Sequence, residues 1–237
     1  MVYFGTGKYI HTDDASAADT PTNTFYGIWD NGSTVFTRSE LLEQHIINEA
    51  TVDPGNDDLV NDPEEKTLRT TTAKKINNWY DGTGSPDPGK GGWFLDLAAP
   101  GAPDATDSGD NHGEKAVTNP ILRSGRLIFT TLVPNESVCA LGGTGWIMEL
   151  NAGDGSRRNE PPFDLNQDSS FDEADQTEND NNPSGLKRDA VVSQVAIQSR
   201  DLNKETKLSS TSDGDIDAVT ANSGDEDRGR QSWQELR

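Results

Sequence analysis

Apolar residues fall in short, dense runs separated by long polar stretches. Val2-Tyr3-Phe4-Gly5 predicts a strand ended by the Gly5-Thr6-Gly7 turn. Phe25-Tyr26-Gly27-Ile28-Trp29 predicts a second, closed by the turn signal Asn31-Gly32. Residues 38–49 place Leu41, Leu42 and Ile46 near helical spacing, and Thr37 and Glu40 have the spacing of a capping box, so a short helix is expected there. Further strands are predicted over Leu68 to Thr72, Trp93 to Leu97, Ala116 to Asn119, Arg126 to Val133 and Gly145 to Leu150, with one more region around Val191, Val192, Val195 and Ile197. Ser124-Gly125 reads as a hairpin turn into the Arg126 run.

Between these runs lie loops that are mostly acidic and small: 11–24, 53–66, 81–92, 98–113 and 151–185. Residues 199–230 read as polar and loose, with Trp233 and Leu236 as anchors for the end. Short strands separated by glycine turns predict a mainly β fold, whether sandwich, barrel or propeller, with one short helix and long acidic loops.

Charge narrows the function classes. The chain carries 41 acidic and 20 basic residues, a formal net charge of -21. Nucleic-acid binding requires basic surface to neutralise phosphates, and an anionic membrane would repel this chain. Such acidity suits solubility, a salty medium or cation binding. No run of about 20 apolar residues is present, so no membrane-spanning segment is expected. Cys139 is the single cysteine, which excludes an internal disulfide. An apolar, strand-like run starts at Val2 with no signal peptide before it, so the chain reads as a fragment of a longer exported protein.

The segment richest in chemistry is Asp164-Leu165-Asn166-Gln167-Asp168-Ser169-Ser170-Phe171-Asp172-Glu173-Ala174-Asp175. Oxygen-bearing side chains occupy positions 1, 3, 5, 9 and 12, and Ser170 stands at position 7, where an EF-hand-like calcium loop offers a backbone carbonyl. Alternate residues of a tight loop point at one centre, and calcium, a hard cation, prefers six to eight oxygens. Asp164, Asn166, Asp168, Asp172 and the Ser170 carbonyl form the candidate ligand set. Ser169 replaces the usual glycine, and Asp175 is shorter than the usual bidentate glutamate. In so acidic a chain the same spacing also fits a solvated loop without metal. Asp104, Asp107 and Asp110 lack ligand alternation, and Asp213, Asp215 and Asp217 lack a partner at position 12.

Nothing else assembles into chemistry. Gly5-Thr6-Gly7-Lys8 is an incomplete phosphate loop, His11, His45 and His112 are scattered, and no Gly-x-Ser-x-Gly elbow occurs. No enzymatic constellation is expected.

Several runs, in order along the chain, resemble the C-terminal domain of the PilY/PilC-type type IV pilus biogenesis factors. They include Val2-Tyr3-Phe4-Gly5-Thr6-Gly7-Lys8-Tyr9, Thr24-Phe25-Tyr26-Gly27-Ile28-Trp29-Asp30, Gly92-Trp93-Phe94-Leu95-Asp96-Leu97 and Val117-Thr118-Asn119-Pro120-Ile121-Leu122. Arg126-Leu127-Ile128-Phe129-Thr130-Thr131-Leu132, Gly142-Gly143-Thr144-Gly145-Trp146-Ile147-Met148-Glu149-Leu150 and Gly229-Arg230-Gln231-Ser232-Trp233 complete the set. The resemblance implies a partial or modified β-propeller of three or four blades' worth over residues 1–198, followed by a polar, loosely ordered segment over 199–237. It also implies an exported protein at the pilus tip, cell surface or outer membrane. Its expected partners are pilins or minor pilins and surface receptors, and its roles are pilus assembly, opposition to retraction, adhesion and twitching motility. The family's calcium loop falls at the matching place, so its ligand positions carry over to Asp164, Asn166, Asp168, Ser170 (backbone) and Asp172. Two other readings stand beside it: a calcium- and quinone-dependent propeller dehydrogenase, and a metal-free structural surface protein.

Overall fold

A computed structural model of the chain describes residues 1–15, 21–32, 34–53, 65–82, 89–100, 112–135, 142–177, 180–201 and 203–224. These residues form strands β1 (Val2–Gly5), β2 (Thr24–Ile28), β3 (Leu42–Gln44), β4 (Ile46–Val52), β5 (Lys66–Thr71), β6 (Gly92–Asp96) and β7 (Ile121–Arg123). They continue with β8 (Arg126–Pro134), β9 (Gly143–Asn151), β10 (Gly185–Arg188), β11 (Ala196–Asp201), β12 (Lys204–Ser210) and β13 (Ile216–Asn222). Three sheets result, with orders β1-β2-β6-β3, β4-β5-β10-β9-β8-β7 and β11-β12-β13. Among the described strands all pairings are antiparallel except that of β3 with β6. The architecture is mainly β, and among the described residues the sheets do not close into a barrel or a ring of blades.

The six-stranded sheet lies in the middle, and its sequence says why. The β8 run Arg126-Leu127-Ile128-Phe129-Thr130-Thr131-Leu132 is buried throughout, as expected of a strand covered on both faces. Leu127, Phe129, Trp146, Met148 and Leu150 pack against Phe25, Trp93 and Leu95 of the four-stranded sheet. On the other face Leu68, Ile147 and Leu186 meet Val219 and Ile197 of the three-stranded sheet, with Phe163 and Leu165 between them. The Ser124-Gly125 turn has the two left-handed residues (φ 47° and 70°) that a two-residue hairpin prefers.

Three local expectations need correction. Residues 38–49 are not a helix. The capping-box pair holds one 3-10 turn, Arg38–Glu40, in which Glu40 Oε2 accepts from Thr37 N at 2.7 Å. Beyond it the chain turns extended, because β6 and β5 offer strand partners on either side and the β-branched residues Ile46, Ile47, Thr51 and Val52 suit a sheet. Residues 116–119 form no strand. Lys115 alone bridges to Leu132, Ala116 N donates to Thr6 O at 3.3 Å, and Pro120 withholds a ladder donor before β7. Residues 199–201 and 203–222 are not loose but supply most of the three-stranded sheet, with β12 and β13 paired over seven positions. Cys139, Trp233 and Leu236 lie outside the described residues.

Among the described residues no helix is long and apolar enough to cross a membrane.

Candidate metal centre

The loop starts from a fixed point. Asn222 N donates to Pro162 O and Asp164 N donates to Thr220 O, each at 3.1 Å, so residues 162–164 pair alongside β13. Phe163 and Leu165 are 0% and 1% exposed. Asp164 therefore sits between two core side chains, and its backbone cannot drift.

From there successive side chains fold the loop onto itself. Asn166 Oδ1 accepts from Asp168 N at 3.1 Å, and Asp168 Oδ1 accepts from Ser170 N at 2.6 Å. Asn166 Nδ2 donates to Asp168 Oδ2 at 3.0 Å. Ser169 N reaches back to Asp164 Oδ2 at 3.1 Å, joining positions 6 and 1. Ser169 has φ 69°, the left-handed conformation that glycine adopts most readily, so the sharp turn is made despite its side chain. Asp172 ends the loop as the cap of the 3-10 turn Glu173–Asp175, its Oδ1 accepting from Ala174 N at 2.9 Å.

The predicted residues thus divide. Asn166, Asp168 and the Ser170 amide are joined by hydrogen bonds, Asp164 accepts from the Ser169 amide instead, and one oxygen of Asp172 is engaged in capping. Among the described residues no three His, Cys, Asp or Glu side chains group closely enough to hold a metal ion. Asp164 Oδ1 is nevertheless buried without a hydrogen-bond partner. Burial pushes the Asp164 carboxyl up; the Ser169 amide opposes this and the Asp168 charge adds to it. Asp168 is held below its ordinary value by the Ser170 amide and the Asn166 side chain. The donor set is all oxygen and mostly anionic, the chemistry that suits calcium and not a soft metal, and an orphaned buried carboxylate oxygen fits a cation partner.

Asp175 was legible only as a shortened twelfth position. Here it is fully buried and braces the loop: Oδ1 accepts from Leu165 N at 2.6 Å and Oδ2 from Asp172 N at 3.3 Å. Burial raises its carboxyl, with those two amides opposing.

Sequence reasoning also missed two buried ion-pair networks. Arg69 binds Glu114 and Glu49. Arg126 contacts Glu149 at 3.3 Å and Glu205 at 2.8 Å, while Lys207 Nζ lies 2.6 Å from Glu149 and 5.1 Å from the Phe163 ring centre. The signal was a lone charge inside an apolar strand, as with Glu149 in Ile-Met-Glu-Leu.

The remaining candidates stay apart. His11 contacts Asp13, His45 lies near Glu43, and His112 contacts Glu114. Asp213 accepts from the Asp215 backbone in a turn, and Asp217 pairs with Arg188. Asp104, Asp107 and Asp110 lie outside the described residues.

No family profile matches the chain. Curated relatives do. A type IV pilus biogenesis factor PilY1 of Pseudomonas aeruginosa is 28% identical over the whole chain, which spans 19% of that protein. A PilY1 homologue of Xylella fastidiosa is 31% identical over 65% of the chain and 9% of its own length. In structure, the crystallised C-terminal domain of Pseudomonas aeruginosa PilY1 superposes with a TM-score of 0.71 at 24% identity, covering 94% of this chain and 41% of that one. This last likeness shows a shared fold. The chain spans less than a fifth of the curated relatives it matches.

Proposed function

Starting from a chain that is homologous along its whole length to PilY1-type pilus biogenesis factors, we propose that it is the calcium-binding portion of such a factor. It acts, without catalysis, in type IV pilus assembly, surface attachment and twitching motility. Its place is outside the cell, at the pilus tip or cell surface, and its partners are pilins or minor pilins and a surface receptor. In this reading the three sheets belong to a modified propeller.

The observation that carries the calcium reading is the buried, unpartnered Asp164 Oδ1 at position 1 of a loop already turned left-handed at Ser169. Asp164, Asn166, Asp168, the Ser170 carbonyl and Asp172 would hold the ion, which supplies charge neutralisation for a cluster that otherwise repels itself. Titration calorimetry of the chain with calcium tests it. Binding lost in Asp172→Ala supports the site, and equal affinity in both proteins overturns it. The pilus role is tested by replacing the matching part of a PilY1-type factor with this chain and scoring surface pili and twitching.

A metal-free structural role is the second reading. It is favoured by the engagement of Asp172 in the cap and by the lack of a three-carboxylate group among the described residues. A chelator that leaves thermal stability unchanged would support it.

A further inference from the structure

We propose that the free edge of β1, with the groove beside it, takes up an extended, uncharged strand of a partner polypeptide. The inference does not depend on the acidic loop or on any metal. β1 ends the four-stranded sheet, and among the described residues it pairs with β2 alone. In such an end strand every second residue turns its N–H and C=O outward, where water or a further strand must pair with them. The other sheet ends are blunted. β3 has only three residues, β4 and β11 carry register irregularities at Ile46/Asn48 and Ser199/Asp201, and β7 follows Pro120 and closes on Arg123. β13 is covered by residues 162–164. β1, Val2-Tyr3-Phe4-Gly5, has no charge, no proline and no irregularity in its register with β2. Natural proteins seldom leave so plain an edge uncovered.

A groove of about 450 Å³ runs along this edge, with Tyr3, Phe4 and Gly5 in one wall and residues 116–120 in the other. The walls meet where Ala116 N donates to Thr6 O at 3.3 Å, and Thr118 Oγ1, 2.8 Å from Thr130 Oγ1, holds the far wall to β8. Tyr3 points inward, its hydroxyl donating to Ala152 O at 3.1 Å, so Val2 and Phe4 are left on the outer face, 49% and 41% exposed. Most of the exposed large apolar side chains among the described residues lie here, in residues 1–10 and 117–122, Ile10 and Val117 among them. Apolar side chains so grouped mark an interaction surface. Charge then selects the occupant. In a chain with a net charge of -21 the groove lining holds no acidic residue, and its one cation, Lys8, pairs with Asp14 at 3.2 Å. A second copy of the chain would bring the same net charge and be repelled. An extended segment of alternating apolar and uncharged polar residues suits both the backbone edge and the side chains beside it.

The test titrates the chain with a short peptide of alternating threonine and valine, residues that favour extended backbone, and reads hydrogen exchange residue by residue. The peptide is expected to bind saturably and to slow amide exchange within residues 2–5. Val2→Lys and Val117→Lys change exposed positions and are expected to keep the parent's thermal midpoint. Each is expected to weaken binding by roughly tenfold or more, because lysine at an edge opposes pairing. Proline in place of every second valine removes ladder donors from the peptide and should abolish binding. Absence of binding by the threonine–valine peptide overturns the proposal. So does binding that leaves exchange in β1 unchanged, that survives both lysine variants, or that the proline peptide reproduces. A dimer in sedimentation that Val117→Lys disperses would make a second copy the occupant, and overturns it as well.

Discussion

Arg69 and Glu114 face each other with neither side chain exposed, and Nη1 and Nη2 donate in parallel to the two carboxylate oxygens at 2.6 and 2.7 Å. The guanidinium also stacks over Trp146 at 4.0 Å and takes Glu49 as a second, partly exposed partner. Thr131 Oγ1 donates to Glu114 as well, at 2.6 Å. Removing one member of such a pair strands a charge in the core. Glu114→Gln is expected to lower unfolding free energy by ~3–5 kcal/mol in urea titrations. Replacing both residues with apolar side chains, as in Arg69→Met with Glu114→Leu, is expected to cost much less than the single change, because the charge that then loses its partner, Glu49, is partly exposed and can be solvated.

The same pair sets an acid limit. Burial raises the Glu114 carboxyl, but the Arg69 guanidinium outweighs it and holds the group at about 2, below its ordinary 4.5. A depressed carboxyl contributes stability above its unfolded value and loses it as pH falls towards the folded one. Glu205 is shifted in the same direction, with Arg126 and Lys207 overcoming burial. Urea midpoints should therefore fall steadily from about pH 4.5 towards pH 2. Glu114→Gln should show a shallower slope over that window, and an equal slope would exclude Glu114 as a source.

How much of this could be read beforehand depends on how locally each feature is encoded. The Leu127-Ile128-Phe129 and Trp146-Ile147-Met148 runs identify themselves, since a strand buried on both faces is apolar without interruption. β12 does not, because its inward residues are Glu205 and Lys207, buried as ion-pair partners of Arg126 and Glu149 on another sheet. The polar pattern of β12 reads as solvent exposure although Glu205 and Lys207 are buried. Residues 38–49 mislead in the opposite way: Thr37 and Glu40 form a real local cap, and strand partners distant in sequence decide the rest. In the loop, ligand spacing was legible from Asp164 to Asp172, but the capping hydrogen bond of Asp172 and the burial of Asp175 depend on how the chain closes.

Asp164 provides a test in which the sign changes with conditions. In chelator, Asp164→Asn removes a buried charge that has an unpartnered oxygen, so the ion-free protein should be no less stable than the parent. On the calcium reading proposed above, the parent should gain about 2.7 kcal/mol in calcium at one hundred times its dissociation constant, and the variant far less. Paired thermal melts in chelator and in calcium check both halves.

Ser169 holds φ 69° at the loop's sixth position. A left-handed conformation costs a non-glycine residue roughly 1–2 kcal/mol, partly offset in a glycine variant by its greater unfolded-state freedom of about 0.5–1 kcal/mol. Ser169→Gly is expected to stabilise the chain by ~0.5–1 kcal/mol and to tighten calcium binding, while Ser169→Val is expected to weaken both. Denaturation and calorimetry on the three proteins measure the two effects separately.

Trp93 offers a prediction about packing alone. It is fully buried, its Nε1 donates to Ala152 O at 3.0 Å, and it stands directly opposite Gly27 on β2. A Cβ at Gly27 would lie 2.5 Å from Trp93 Nε1, and one at Gly155 would lie 2.3 Å from Trp93 Cε3. The indole is therefore flanked by two glycines whose missing side chains leave it room. Gly155 also has φ 70°, so its replacement adds backbone strain to the clash. Gly27→Ala is expected to destabilise by ~1–3 kcal/mol through overpacking, and Gly155→Ala by more. Trp93→Phe combined with Gly27→Ala should recover part of the loss by clearing the edge of the ring. If urea titrations show no such recovery, the cost of alanine at Gly27 arises somewhere other than its contact with Trp93.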